Sequence, residues 1–232
     1  MKIKRDRAIY YLFGLTLVTI VIWQFPFGMF VLYPFTILGT WFHEMGHGLT
    51  AMCLGGYFQR LEIFSNGSGL AVHSGNLYFG NLGGAIVAAA GPMGPTLAGS
   101  LFILASKKNK TSRILLFIFS ILLIISIVLW LRSLFGIGVI FIFAMLISFI
   151  AIRKPSKIQN HTLQFLGVQA FASTYLSIDY IFSAGGTIEG KTYLSDTAVI
   201  SQYLFFPYWF WGGIIAIFSL IVIIFTIRKY FK

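Results

Sequence analysis

The sequence predicts an all-α polytopic membrane protein of about seven transmembrane helices, with one short β-hairpin after its second span, folded as a single membrane-embedded domain over residues 1–232. Three observations carry that reading. The chain is 58% hydrophobic and only 10% charged, with a mean hydropathy of +0.87, too few charges to cover a soluble surface of this size. Its Lys and Arg residues stand mostly in short clusters between apolar runs, as membrane-flanking anchors do. The helical pattern breaks clearly at residues 57–80, between apolar stretches too long to be strands. The net charge of +11 therefore reads as contact with a lipid bilayer; nucleic acid is excluded as a partner because no soluble basic domain is present to hold it.

Residues 1–7 form a basic leader ahead of an apolar run from Ala8 to about Phe25, and the absence of a small-x-small cleavage site makes this a retained anchor over 1–25. The second span runs from about Phe27 to Gly55 and contains His43-Glu44-Met45-Gly46-His47. Residues four apart on a helix return to nearly the same angle, so the two imidazoles stack one turn apart, the spacing at which they grip one metal ion. Glu44, about 100° further round, reaches a water on that metal as general base. The competing reading is a pair of pore-lining or helix-packing histidines. Ionisable groups inside a membrane segment are costly and need partners, and a shared zinc is such a partner.

Phe58, Leu61 and Ile63, then Leu70 and Val72, flank Asn66-Gly67-Ser68-Gly69, the composition of a tight turn between two strands. The hairpin is either a plain connection or an edge strand that holds an extended peptide, with Gly67, Ser68 and Gly69 as substrate-binding residues. A third span from about Gly83 to Ala105 is rich in Gly and Ala, which lets neighbouring helices approach, and Pro92 and Pro95 are expected to bend or break it. These elements form the block 27–105. Spans from about Ile114 to Trp130 and Leu134 to Ile152 form a lipid-facing scaffold over 114–152. The block 162–227 holds a more polar sixth span, Thr162 to about Ser183, a loop at 184–206 and a last span from Tyr208 to Ile227. Lys and Arg divide ten against seven between the two sides, which leaves orientation open.

A catalytic zinc takes three protein ligands and keeps a fourth place for water. Asp179 is the only other acid within a span and is the preferred third ligand; Asp196, which could dip in from the loop or cap a helix, is the alternative. Glu62 and His73 sit on the hairpin, where surface roles suit them better. Cys53, the single cysteine, allows no intrachain disulfide and is expected to be a packed thiol. Two imidazoles and one carboxylate also suit iron(II), but the Glu beside the first His favours zinc hydrolysis.

The motifs over roughly residues 40–220 resemble the site-2-type intramembrane zinc metalloproteases, in their compact branch without a PDZ domain. His43-Glu44-Met45-Gly46-His47 is similar to the family's zinc helix, Asn66-Gly67-Ser68-Gly69-Leu70 to its Gly-Ser-Gly-Leu turn, and Ala90-Gly91-Pro92-Met93-Gly94-Pro95 to its next helix. Phe165-Leu166-Gly167-Val168, Asp179, and Ser195-Asp196-Thr197-Ala198 leading to Trp211-Gly212 are similar to its C-terminal half. The resemblance implies zinc, hydrolysis of peptide bonds in membrane-protein or peptide substrates, and a multi-pass location expected to be a bacterial cell membrane. The chain departs from the better-known members in lacking their Asn-Pro-x-Asp-Gly or Leu-Asp-Gly signature, and Pro95 stands where an Asn is usual. A membrane transporter or substrate-binding relative with a structural metal is the alternative function. A metal sensor or metal transporter would carry further His or Cys along its spans.

Overall fold

The structure, a computed structural model, describes residues 14–188 and 190–232. The basic leader 1–7, the beginning of the N-terminal anchor and Glu189 lie outside the described residues. Helix α1 (Gly14–Trp23) meets α2 (Pro26–Cys53) at a bend of 113°. Pro26 opens α2, where a missing N–H costs nothing. Its far end is closed by Gly55, at φ +86°, with Gly55 N–H donating to Met52 O and Gly56 N–H to Ala51 O. That pair of bonds is a Schellman motif, so the expected glycine stop holds.

The expected hairpin follows as β1 (Tyr57–Ile63) and β2 (Gly69–Ser74), paired antiparallel with Leu61 opposite Ala71 and a register shift between Phe58 and Arg60. Its outer strand is not left open. Leu61 N–H donates to Trp130 O at 2.8 Å, Arg132 N–H donates to Leu61 O at 2.9 Å, and Ile63 N–H donates to Ser133 Oγ at 2.9 Å. The segment between α4 (Asn109–Leu129) and α5 (Leu134–Arg153) thus covers one edge of the hairpin, as burial among apolar helices requires.

Helix α3 (Asn81–Ala105) is the hub, touching α2, α4, α6 (Ser156–Leu176), α8 (Asp196–Tyr203) and α9 (Tyr208–Phe231). Its small residues are the reason. A Cβ on Gly94 would lie 2.4 Å from Phe42 O of α2, and one on Gly99 would lie 2.9 Å from Gly167 O of α6, so backbones meet where side chains would hold them apart. Helix α3 stays helical through Pro92 and Pro95, so of the expected bend or break the break does not occur; both prolines are buried, where neighbouring helices support the turns whose hydrogen bonds they remove. Against it, Trp41, Phe42, Phe102 and Phe119 form an aromatic core, with Trp41 Nε1–H donating to Ser126 Oγ at 2.9 Å.

The seven-span count is not confirmed. Among the described residues, α3, α4, α5 and α9 are long and apolar enough to cross a membrane, and the bent pair α1–α2 brings the number to five at most. Helix α6 carries buried Gln159, Gln164 and Gln169 and falls short in hydrophobicity; it also begins at Ser156 and ends at Leu176, earlier at both ends than expected. The loop 184–206 holds structure that the sequence reading missed. After a single turn, α7 (Ile178–Ile181), come a second hairpin, β3 (Gly185–Ile188) with β4 (Lys191–Leu194), and then α8. Its signal was there: β-branched and aromatic residues on either side of a Glu-Gly turn. Cys53 is exposed at the end of α2, so the packed thiol is corrected.

Candidate metal centre

His43 and His47 come together on one face of α2, ring centroids 4.9 Å apart. The partner that meets them is Asp196: His43 Nε2 lies 2.9 Å from its Oδ2 and His47 Nε2 lies 3.1 Å from its Oδ1. Among the described residues these three form the one group of His, Cys, Asp and Glu whose ligand atoms converge, all within 4.8 Å of one another. Of the two acids considered from sequence, the structure brings Asp196 and not the preferred Asp179 to the histidines. Helix α6 stops at Leu176, and in the single turn of α7 that follows Asp179 is exposed, while Tyr180, one residue on, turns its ring towards His43.

Asp196 reaches the imidazoles because a neighbour takes over its capping role. The N-cap of α8 is Ser195, whose Oγ accepts from Ala198 N–H at 3.2 Å, so Asp196 stands in the first helical turn with its carboxylate unspent. Two further bonds fix the approach: Ser195 Oγ–H donates to Ser183 O at 2.6 Å and Thr197 Oγ–H to Ile181 O at 2.8 Å.

The donor chemistry fits a cation. His47 Nδ1 lies 2.8 Å from Val87 O. A carbonyl only accepts, so Nδ1 carries a proton, and Nε2 faces the carboxylate either as an imidazolium N–H or, once deprotonated, as a lone pair for a cation. His47 Nε2 faces one carboxylate oxygen and His43 Nε2 the other, buried Oδ2. A proton on each imidazole or a shared metal ion satisfies this arrangement, and a metal ion is held by all three groups at once. Two imidazoles and one carboxylate are the donors a catalytic zinc takes, and the Val87 carbonyl is the kind of outer partner that orients a ligating histidine. Space is provided as well: a Cβ on Gly91 of α3 would lie 2.1 Å from His47 Nε2 and 2.8 Å from His43 Nε2.

Glu44 is buried against the hairpin. A Cβ on Gly69 would lie 2.7 Å from Glu44 Oε1, and the backbone of Ala71 hydrogen-bonds the carboxyl. Glu44 and His43 open together onto a cavity of about 360 Å³, whose walls include Thr40, the turn Gly67, Ser68 and Gly69, Gln169 and Ser177 of the α6 end, Tyr180, and Thr187 and Tyr193 of the second hairpin. The Gly67 turn is clamped to α2 by Thr40 Oγ–H, which donates to Gly67 O at 2.6 Å, and by Tyr33, which donates to Ser65 O. Glu62 stands apart from this centre with Arg60, at 3.4 Å.

The sequence profile of the family described as Peptidase M50B-like matches residues 11–226. The chain belongs to that family, and so to the site-2 proteases. No curated protein and no solved structure compared with this M50B-like peptidase matches it. Membership agrees with the resemblance read from the motifs, and it gives the His, His, Asp cluster its context, because M50 peptidases are metalloproteases.

Proposed function

We propose that this M50B-like peptidase is an intramembrane zinc protease that hydrolyses peptide bonds of membrane-protein substrates, with His43, His47 and Asp196 as zinc ligands and Glu44 as general base. The convergence of both Nε2 atoms on a single carboxylate, beside a cavity that also holds Glu44, carries the reading. Bound there, zinc would acidify a water and polarise a carbonyl. Glu44 takes the proton of that water, whose oxygen adds to the scissile carbonyl carbon, and returns it to the leaving nitrogen as the C–N bond breaks.

The substrate must be extended, because a helix hides its carbonyls. The inner edge of β2 suits an extended strand. Leu61 and Ile63 turn their hydrogen-bonding groups away from β2, so their partners Ala71 and Gly69 turn theirs away from β1, onto the edge beside Glu44, whose carboxyl takes the Ala71 bond. A peptide added to this edge would lie along the general base, with the turn Gly67, Ser68 and Gly69 at one end of its path.

Glu44→Gln keeps size and hydrogen bonding but removes the base. Cleavage of unfolded casein should fall by about a thousandfold or more while one zinc per chain is retained. A transporter or substrate-binding relative with a structural metal would keep its function in this variant, and the wild type would leave casein intact.

A further inference from the structure

Hydrolysis by this site leaves one need without an assigned residue. As water adds, the carbonyl oxygen gains negative charge, and a donor aimed at it lowers the barrier more than one spent on the ground state. Pro95 of α3, which lines the cavity, has neither an N–H nor a polar side chain. Several other donors in the walls are engaged away from the metal cluster: Thr40 Oγ–H with Gly67 O, Ser177 Oγ–H with Ser173 O at 2.9 Å, and Gln169 Nε2–H with Thr19 Oγ at 3.2 Å. Trp23 Nε1–H is buried without a partner, but it lies one turn along α1 from Thr19, on the Gln169 side.

Resting on the protease reading above, we propose that the Tyr180 hydroxyl is a catalytic group, donating a hydrogen bond to the scissile carbonyl oxygen as it becomes the tetrahedral oxyanion. Three observations point to it. The Tyr180 ring stands edge-on to His43, centroids 6.0 Å apart at 69°. Its hydroxyl makes polar contact with both the backbone and the carboxylate of Asp196, so it sits at the rim of the three-residue cluster. It also forms part of the cavity wall with His43 and Glu44. Its place is fixed from behind: Ser183 N–H and Oγ–H both donate to Tyr180 O, and Ser195 and Thr197 tie α7 to the start of α8. Tyr180 and Asp196 therefore move as one unit, the support that a preorganised donor needs.

Tyr180→Phe keeps the ring and removes only the hydroxyl. In the full-length, detergent-solubilised protein four quantities should be read: zinc affinity, kcat and KM for casein, and affinity for a phosphinic dipeptide that mimics the tetrahedral oxyanion. The proposal expects zinc affinity and KM within about threefold of wild type, with kcat and phosphinate affinity both lower by about a hundredfold. Unchanged kcat or unchanged phosphinate affinity overturns it. So does a tenfold or greater loss of zinc affinity, which would make Tyr180 a positioning residue for Asp196. A hundredfold loss in Trp23→Phe, with Tyr180→Phe near wild type, moves the role to the indole. If wild type cuts casein and Glu44→Gln does not, a normal Tyr180→Phe overturns this assignment alone; if wild type neither holds zinc nor cuts, the protease reading falls and takes the assignment with it.

Discussion

Helix α3 and the α4–α5 pair are both apolar, and both contain glycine, yet they use it in opposite ways. Around Gly91, Gly94 and Gly99 of α3, an added Cβ would meet another helix or the histidines within 3 Å. In α5 only Gly136, at the start of the helix, is tightly placed, against Ser133 Oγ at 2.6 Å; around Gly138 nothing lies within 4 Å. The scaffold instead turns large side chains outward, among them Ile118, Phe141, Ile142 and Met145. One region is built for close approach around a polar site and the other for contact with lipid, so the meaning of a small residue depends on its neighbours and not on its own helix. Polar side chains divide in the same way: α4 holds serines bonded to nearby carbonyls, whereas Gln169 and Ser173 of α6, and Ser177 just beyond it, gather at the cavity.

Substitutions can sharpen or break this contrast. The largest effect is expected from Gly91→Ala, whose methyl would have to displace the His47 ring; zinc binding and cleavage should both be lost while the protein still extracts as a folded monodisperse species, as read by metal analysis and size-exclusion chromatography. If the variant keeps full zinc occupancy, the close-approach account of α3 is wrong. Next comes Thr40→Val, which frees the Gly67 turn from α2; a kcat/KM loss of about fivefold with normal zinc content is expected, in line with about 1 kcal/mol for a hydrogen bond. Ser126→Ala removes the acceptor of Trp41 in the scaffold and should lower thermal stability by about 1 kcal/mol without altering activity. Smallest of all, Gly138→Ala should leave activity unchanged and shift stability by no more than about 1 kcal/mol, towards greater stability, since Ala favours helix and has open space there.

Local rules made part of this legible in the sequence. The i, i+4 histidines, the glycine stop after Leu54 and the hairpin around Asn66 and Gly67 each follow from a few neighbouring residues, and all three stand in the fold. What depends on distant packing did not come through. Asp179 had the better local case for a ligand, being an acid in an apolar run, but the direction of its side chain is set by where α6 ends. Asp196 looked like a possible cap; only the bond from Ala198 to Ser195 shows that the capping role was already filled. The prolines of α3 predict a bend or a break, and the helical neighbours prevent the break; the sixth span reads as more polar yet still counts as a span in the sequence, and its buried glutamines make α6 too polar to qualify.

The central claim is that Asp196, with His43 and His47, holds one zinc ion. Zinc content measured on purified wild type, Asp196→Ala and Asp179→Ala tests it most directly. The account expects about one ion per chain in wild type and in Asp179→Ala, and close to none in Asp196→Ala, because removing one of three protein ligands leaves two imidazoles that hold zinc weakly. Full zinc in Asp196→Ala, or loss of zinc in Asp179→Ala, would contradict it.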